Sequence, residues 1–185
     1  TLSELIAYAK ANPGKIAYGA PHITGRLASA TLVAANNLDV TPVPYKGEPT
    51  AITDLITGRI QMMISTSGGG MPQVKAGKLV ALATILDKRS PIAPDVPTMA
   101  EAGFPDFKIQ PWAALFGPAN MPPEIVARLN KAFTEAMNDP AVKQRMAEQD
   151  FALKPSTPEQ LGELVKQQLD VHRKAVAAAG VEIVD

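Results

Sequence analysis

The sequence predicts an α/β fold in which a mostly parallel sheet is covered by helices. Three observations carry that expectation. From Leu2 to Thr84, helical and strand-like patterns alternate, in the order helix–strand–helix–strand–helix–strand–helix–strand. The strand-like runs are short and lead into loops of glycine, proline and small hydroxyl residues. Beyond Phe116 the pattern turns to helices only, so the chain changes character near Gln110.

Each element has its own signal. Leu2, Leu5, Ile6 and Ala9 follow helical spacing, and Asn12-Pro13-Gly14 stops that helix. Ile16-Ala17-Tyr18 reads as a strand running into Gly19-Ala20-Pro21-His22-Ile23. Thr24 is the expected cap of the next helix, which carries Leu27, Ala30, Thr31 and Ala34 on one face. Val40 to Tyr45 reads as a second strand, broken by prolines. Ile52, Leu55 and Ile56 mark a helix ending near Gly58. Ile60–Ile64 reads as a short buried strand, Ser65–Gly70 as a loop, Met71–Ala76 as a brief helix and Leu79–Thr84 as a strand.

From Asp87 to Gln110 the chain reads as irregular, apart from a capping box at Thr98 and Glu101 with Gly103 as the stop. Trp112–Phe116 reads as a strand. Ile125, Leu129, Ala132, Phe133 and Ala136 line one helix face, and Asp139-Pro140 restarts a second helix. Thr157-Pro158-Glu159-Gln160 opens a third, which carries Leu161, Leu164, Val165, Gln168, Leu169 and His172 and is expected to end at Gly180. The expected division is residues 1–110 as a complete α/β lobe and 111–185 as a strand and helices without a sheet to lie on. A lone strand cannot satisfy its own backbone groups, so a partner must supply pairing.

Composition narrows the function. Hydrophobic residues make up 46% of the 185, enough for a packed core. Eighteen basic and eighteen acidic residues cancel, and no basic stripe suits a nucleic acid. The absence of cysteine excludes disulfides and thiolate metal sites, and two histidines cannot hold a metal without carboxylate help. No apolar run is long enough to span a membrane as a helix. No Gly-x-Ser-x-Gly, Walker-type or Gly-x-Gly-x-x-Gly motif is present, so neither catalysis nor a cofactor is expected.

What remains is a set of loops after strands. Sheets of this kind bind ligands beyond the carboxyl ends of their strands, where helix N-termini favour anions. Tyr18, His22, Thr24, Gly25 and Arg26 belong to the first such loop and the helix start after it. His22 suits either contact with an anion or an ordinary loop role. Arg26 opposes the helix dipole, which makes it a candidate ligand anchor or lobe–lobe ion pair. Tyr45 and Lys46 offer a phenol and a cation after the second strand, or a buried ring beside a solvated lysine. Ser65, Thr66 and Ser67 supply small hydroxyls and backbone N–H groups after the third strand, or a flexible connector. His172 reads as a surface or boundary residue of its helix, and Trp112 as a packing residue at a hinge.

Several short motifs occur together in order. They include Val43-Pro44-Tyr45-Lys46-Gly47, Asp54-Leu55 with Gly58, Ala76-Gly77-Lys78-Leu79, and Asp95-Val96-Pro97-Thr98 with Glu101-Ala102-Gly103. Trp112, Phe116-Gly117-Pro118-Ala119, Arg128-Leu129-Asn130 and Thr157-Pro158-Glu159 complete the set. In this ordered set the chain resembles the substrate-binding proteins of tripartite tricarboxylate transporters, the Bug family. The resemblance implies a periplasmic binding protein fold of type II, with one complete α/β lobe and the C-terminal part of a second. Members of the family open with an N-terminal half-domain that has no counterpart here.

The resemblance also implies capture of a small carboxylate between two lobes, by backbone N–H groups, hydroxyls and ordered water. It implies delivery to the membrane components of a transporter, a periplasmic location and no catalysis. Two chains are expected to associate through the incomplete lobe. The alternatives are an interaction or structural fragment that does not bind, or an enzyme using the same cleft. Three departures bear on the usual dicarboxylate specificity. The first loop is shorter, Arg26 stands in place of a familiar histidine, and Ser65 stands in place of a common aspartate.

Overall fold

The computed structural model describes residues 1–148 and 150–179. The order is α1 (Leu2–Ala11), β1 (Ile16–Ala20), α2 (Ile23–Ala35), β2 (Val40–Pro44), α3 (Glu48–Ile56), β3 (Met62–Met63) and α4 (Ser67–Lys75), then α5 (Pro123–Asn138), α6 (Pro140–Glu148) and α7 (Pro158–Ala179). The chain forms two compact units. One comprises residues 1–111 with the described residues from Val171 onward, the other the described residues of 112–170.

In the first unit β1 is central, with the strand order β2-β1-β3 and both pairings parallel. The connection from β2 through α3 to β3 therefore crosses from one side of β1 to the other. Gly19 makes this close packing possible, because a Cβ there would come within 2.7 Å of the Ile60 side chain. Thr1 caps α1, and its first turn and the following one bury Leu2, Ile6 and Ala9. One core cluster joins Ala9, Ile16, Tyr18, Ala20 and Val40, and a second joins Leu2, Ile6, Leu32 and Met99. A third joins Leu27, Ala28 and Ile109, against which Val171, Ala175 and Val176 of α7 pack.

Three expected strands differ from the sequence reading. The Ile60–Ile64 run forms only Met62–Met63, because the Gln61 side-chain oxygen takes the Ala17 N–H at 2.9 Å, in place of a main-chain partner. The Leu79–Thr84 run forms a single parallel bridge, Thr84 to Thr98. Its neighbour at residue 97 is proline, which accepts from the Thr84 N–H but has no N–H to extend the ladder. Trp112–Phe116 is not a strand, since no strand lies beside it among the described residues.

The capping box at Thr98 and Glu101 forms, with Thr98 N–H donating to Glu101 Oε2 at 2.8 Å and Glu101 N–H donating to Thr98 Oγ1 at 3.2 Å. It closes a turn rather than a helix, and Gly103 ends it at φ +99°. The Arg89 guanidinium holds the Glu101 carboxyl below its usual value, helped by the bond from the Thr98 N–H.

The second unit contains α5, α6 and the start of α7. Pro123 and Pro140 occupy first helical positions, and Thr157 and Gln160 form a capping box at the start of α7. None of its described residues is buried. The expected stop of α7 at Gly180 lies outside the described residues.

Candidate functional site

The three strands run parallel, so their carboxyl ends share one edge of the sheet. From that edge Pro21-His22 leads into α2, Tyr45–Gly47 into α3, and Ile64–Thr66 into α4. Each helix begins with N–H groups that lack intrahelical acceptors and carry partial positive charge. The placement of these N-termini follows from parallel strand pairing alone.

Side chains tie the three helix starts together. His22, not Thr24, is the N-cap of α2. Its backbone is extended, and its Nδ1 accepts the Gly25 N–H at 2.9 Å. Because Nδ1 accepts, the ring proton of the tautomer sits on Nε2, which donates to Glu48 Oε1 at 3.2 Å. Gly25 allows this fold of the ring over the helix start, since a Cβ there would meet the ring at 2.8 Å and the Ile64 carbonyl at 2.9 Å. Thr66 caps α4, accepting the Gly69 N–H at 3.2 Å. That cap starts α4 at Ser67, ahead of the expected Met71, and draws the Ser-Gly-Gly-Gly run into the helix.

Glu48 is the centre of this network and was not singled out by the sequence. Its Oε1 accepts from the Thr66 N–H at 2.6 Å, and its Oε2 from the Thr66 hydroxyl at 2.7 Å. The carboxylate of α3 is thereby seated on the N-cap of α4 and beside the N-cap of α2. Gly69 lies so close that an added Cβ would be 2.5 Å from Glu48 Oε2. An acidic residue in a first turn is an ordinary dipole-matching choice. Its link to Thr66 depends on the β2–β1–β3 order, which no local pattern encodes.

The other candidates separate. Thr24 is half-buried in the first turn of α2, and its hydroxyl has no hydrogen-bond partner among the described residues. Arg26 is half-buried on the same turn and forms no ion pair among the described residues. Ser65 Oγ donates to the Thr66 carbonyl at 3.1 Å, and Ser67 opens α4. Lys46 is exposed.

Both candidate tyrosines are engaged elsewhere. Tyr18 lies in the core at 4% exposure, and its phenol is pushed up by burial, against which the Arg26 charge acts. The Tyr45 hydroxyl donates to Asp54 Oδ2 at 2.9 Å. Desolvation first, and then that carboxylate, raise its pKa. Asp54 is held in turn by Arg59 at 3.1 Å. His172 is half-buried, and its Nε2 is shielded from water without a partner among the described residues.

Chemically, the edge offers hydroxyls, helix-start N–H groups and a cation, which is an equipment for holding an anion. Among the described residues no cluster of His, Cys, Asp or Glu could hold a metal. No described helix is long and apolar enough to cross a membrane.

Known proteins resemble this chain in sequence and fold. The model of the tripartite tricarboxylate transporter family receptor matches residues 1–181. Protein BugT of Bordetella pertussis is 31% identical in an alignment that covers 99% of this chain and 57% of BugT. The structure of Rpa4515 of Rhodopseudomonas palustris with adipate superposes with a TM-score of 0.89 at 27% identity, over all of this chain and 62% of that one. MatC of Rhodopseudomonas palustris with bound malate gives 0.77 at 29% identity, over 95% of this chain and 61% of that one. The chain thus spans little more than half the length of the curated relatives it matches. Its α/β fold with a parallel sheet is that of these binding proteins, and the chain belongs to the tripartite tricarboxylate transporter receptor family.

Proposed function

We propose that this protein captures a small carboxylate at the edge where β1, β2 and β3 end, and hands it to the membrane components of a transporter without transforming it. The observation that carries this reading is the convergence of three helix N-termini, α2, α3 and α4, on one sheet edge, with Thr24 and Arg26 uncommitted there. Adipate and malate in the related structures support a carboxylate as the ligand class. A periplasmic location belongs to the same proposal. Catalysis would need a nucleophile with a base or a metal cluster, and the edge offers hydrogen-bond donors instead.

Calorimetry with adipate, malate and short monocarboxylates tests the reading. The expected result is sub-millimolar binding of at least one of them, lost by about ten- to hundredfold in Arg26→Ala and Thr24→Ala. Folded protein that binds no carboxylate would overturn it. Partial exposure of Leu129, Phe133 and Leu169 further supports association of two chains through residues 112–170. Light scattering at micromolar concentration should give twice the chain mass, and a strictly monomeric protein would contradict that association.

A further inference from the structure

Glu48 fills a place at the strand ends that the helix starts would otherwise offer to an external anion. Its side chain is only 16% exposed, and both oxygens are engaged, Oε1 by His22 and the Thr66 N–H and Oε2 by the Thr66 hydroxyl. These are the kinds of donor that would receive a ligand carboxylate. A second carboxylate brought to this end of the site would meet like charge and find the donors taken. Glu48 Oε2 still has about one lone pair unused, so it can accept from a donor group of a ligand. Arg26, on the first turn of α2, has no carboxylate partner among the described residues. The loop cluster therefore holds one internal anion and two cations, half-buried Arg26 and exposed Lys46, that form no ion pair among the described residues.

We infer that Glu48 is a specificity-determining residue that stands in for one ligand carboxylate. The ligand it selects has a single carboxylate and, at its far end, a neutral or cationic hydrogen-bond donor such as an amide, hydroxyl or ammonium group. This rests on the carboxylate-capture reading and narrows it: a dicarboxylate of the same length is disfavoured. Like charge near a shielded carboxylate is not relieved by solvent as it would be on an open surface.

Length-matched probes separate the two ideas. Adipate, its monoamide and 6-aminohexanoate, together with succinate, its monoamide and 4-aminobutanoate, are titrated into the full chain and into Glu48→Gln. The wild type is expected to bind the monoamide or the amino acid at least tenfold more tightly than the diacid of the same length. In Glu48→Gln, with an unchanged circular dichroism spectrum, that preference should fall at least tenfold. If Glu48→Gln does not fold, the wild-type preference alone decides. Diacids bound as tightly as their monoamides, or a preference untouched by Glu48→Gln, would overturn the inference and leave carboxylate capture standing. Failure of every probe to bind folded wild-type protein would sink carboxylate capture itself, and this inference with it.

Discussion

Leu27 in α2 and Leu129 in α5 each lie on an apolar helix stripe, yet Leu27 is 5% exposed and Leu129 is 41% exposed. The same contrast separates the two units. In residues 1–111 the helices lie on a sheet and bury Ile16, Ile60 and Ile109 almost completely. In residues 112–170 the helices have good starts and apolar stripes, but every described residue keeps contact with water. Local rules form a helix in both places, and only packing against a sheet makes an interior. The candidate site follows the same division, since the three helix starts that build it are the ones fixed by strands.

The contrast can be broken most directly at the core. Ile16→Ala should cost about 2–5 kcal/mol, because a fully buried side chain leaves a cavity. Phe133→Ala, at 43% exposure, should cost about 1 kcal/mol or less in a single chain, and more where a second chain covers the stripe as proposed. Urea unfolding of the two variants tests this. A large loss in Phe133→Ala would mean that a second surface already covers the stripe.

Helix starts sharpen the comparison at smaller scale. His22→Ala removes the cap of α2 and one donor to Glu48, so it should cost about 1–2 kcal/mol. Thr157→Ala removes only a cap, at about 1 kcal/mol or less. Equal losses in urea melts would show that the link from His22 to Glu48 adds nothing.

The smallest expected effect concerns pH. Glu101 is held below its usual value in the folded protein, so its contribution is present above the ordinary glutamate value. It is lost as pH falls through the lower folded value. Glu101→Gln should therefore flatten the acid side of the stability profile and leave its slope near neutrality unchanged. An acid limb identical to that of the wild type would contradict the role of Arg89 and Thr98.

Much of the first unit was legible because its signals are local. Periodicity located α1 and the strands β1 and β2, and Gly58 and the Asn12-Pro13-Gly14 stop marked boundaries. Shortfalls came where a partner decides the outcome. Gln61 replaced a strand neighbour with its side chain, Pro97 withheld an N–H, and Trp112–Phe116 had no strand beside it among the described residues. The candidate site was legible only as a set of loops, since a parallel sheet brings strand ends together. Its wiring was not. Tyr45 turned to Asp54, Tyr18 went into the core, and His22 took the cap expected of Thr24. Glu48 carries no local signal of its role, because its partner Thr66 lies at a different strand end, reached only through the crossover.

Amide chemical-shift perturbation during titration with a binding carboxylate addresses the central claim most directly. The expected result is that the largest shifts fall on Ile23–Arg26, Gly47–Glu48 and Thr66–Gly69, the starts of α2, α3 and α4. Saturable binding that leaves those amides unmoved and shifts others instead would contradict a carboxylate site at the ends of the three strands.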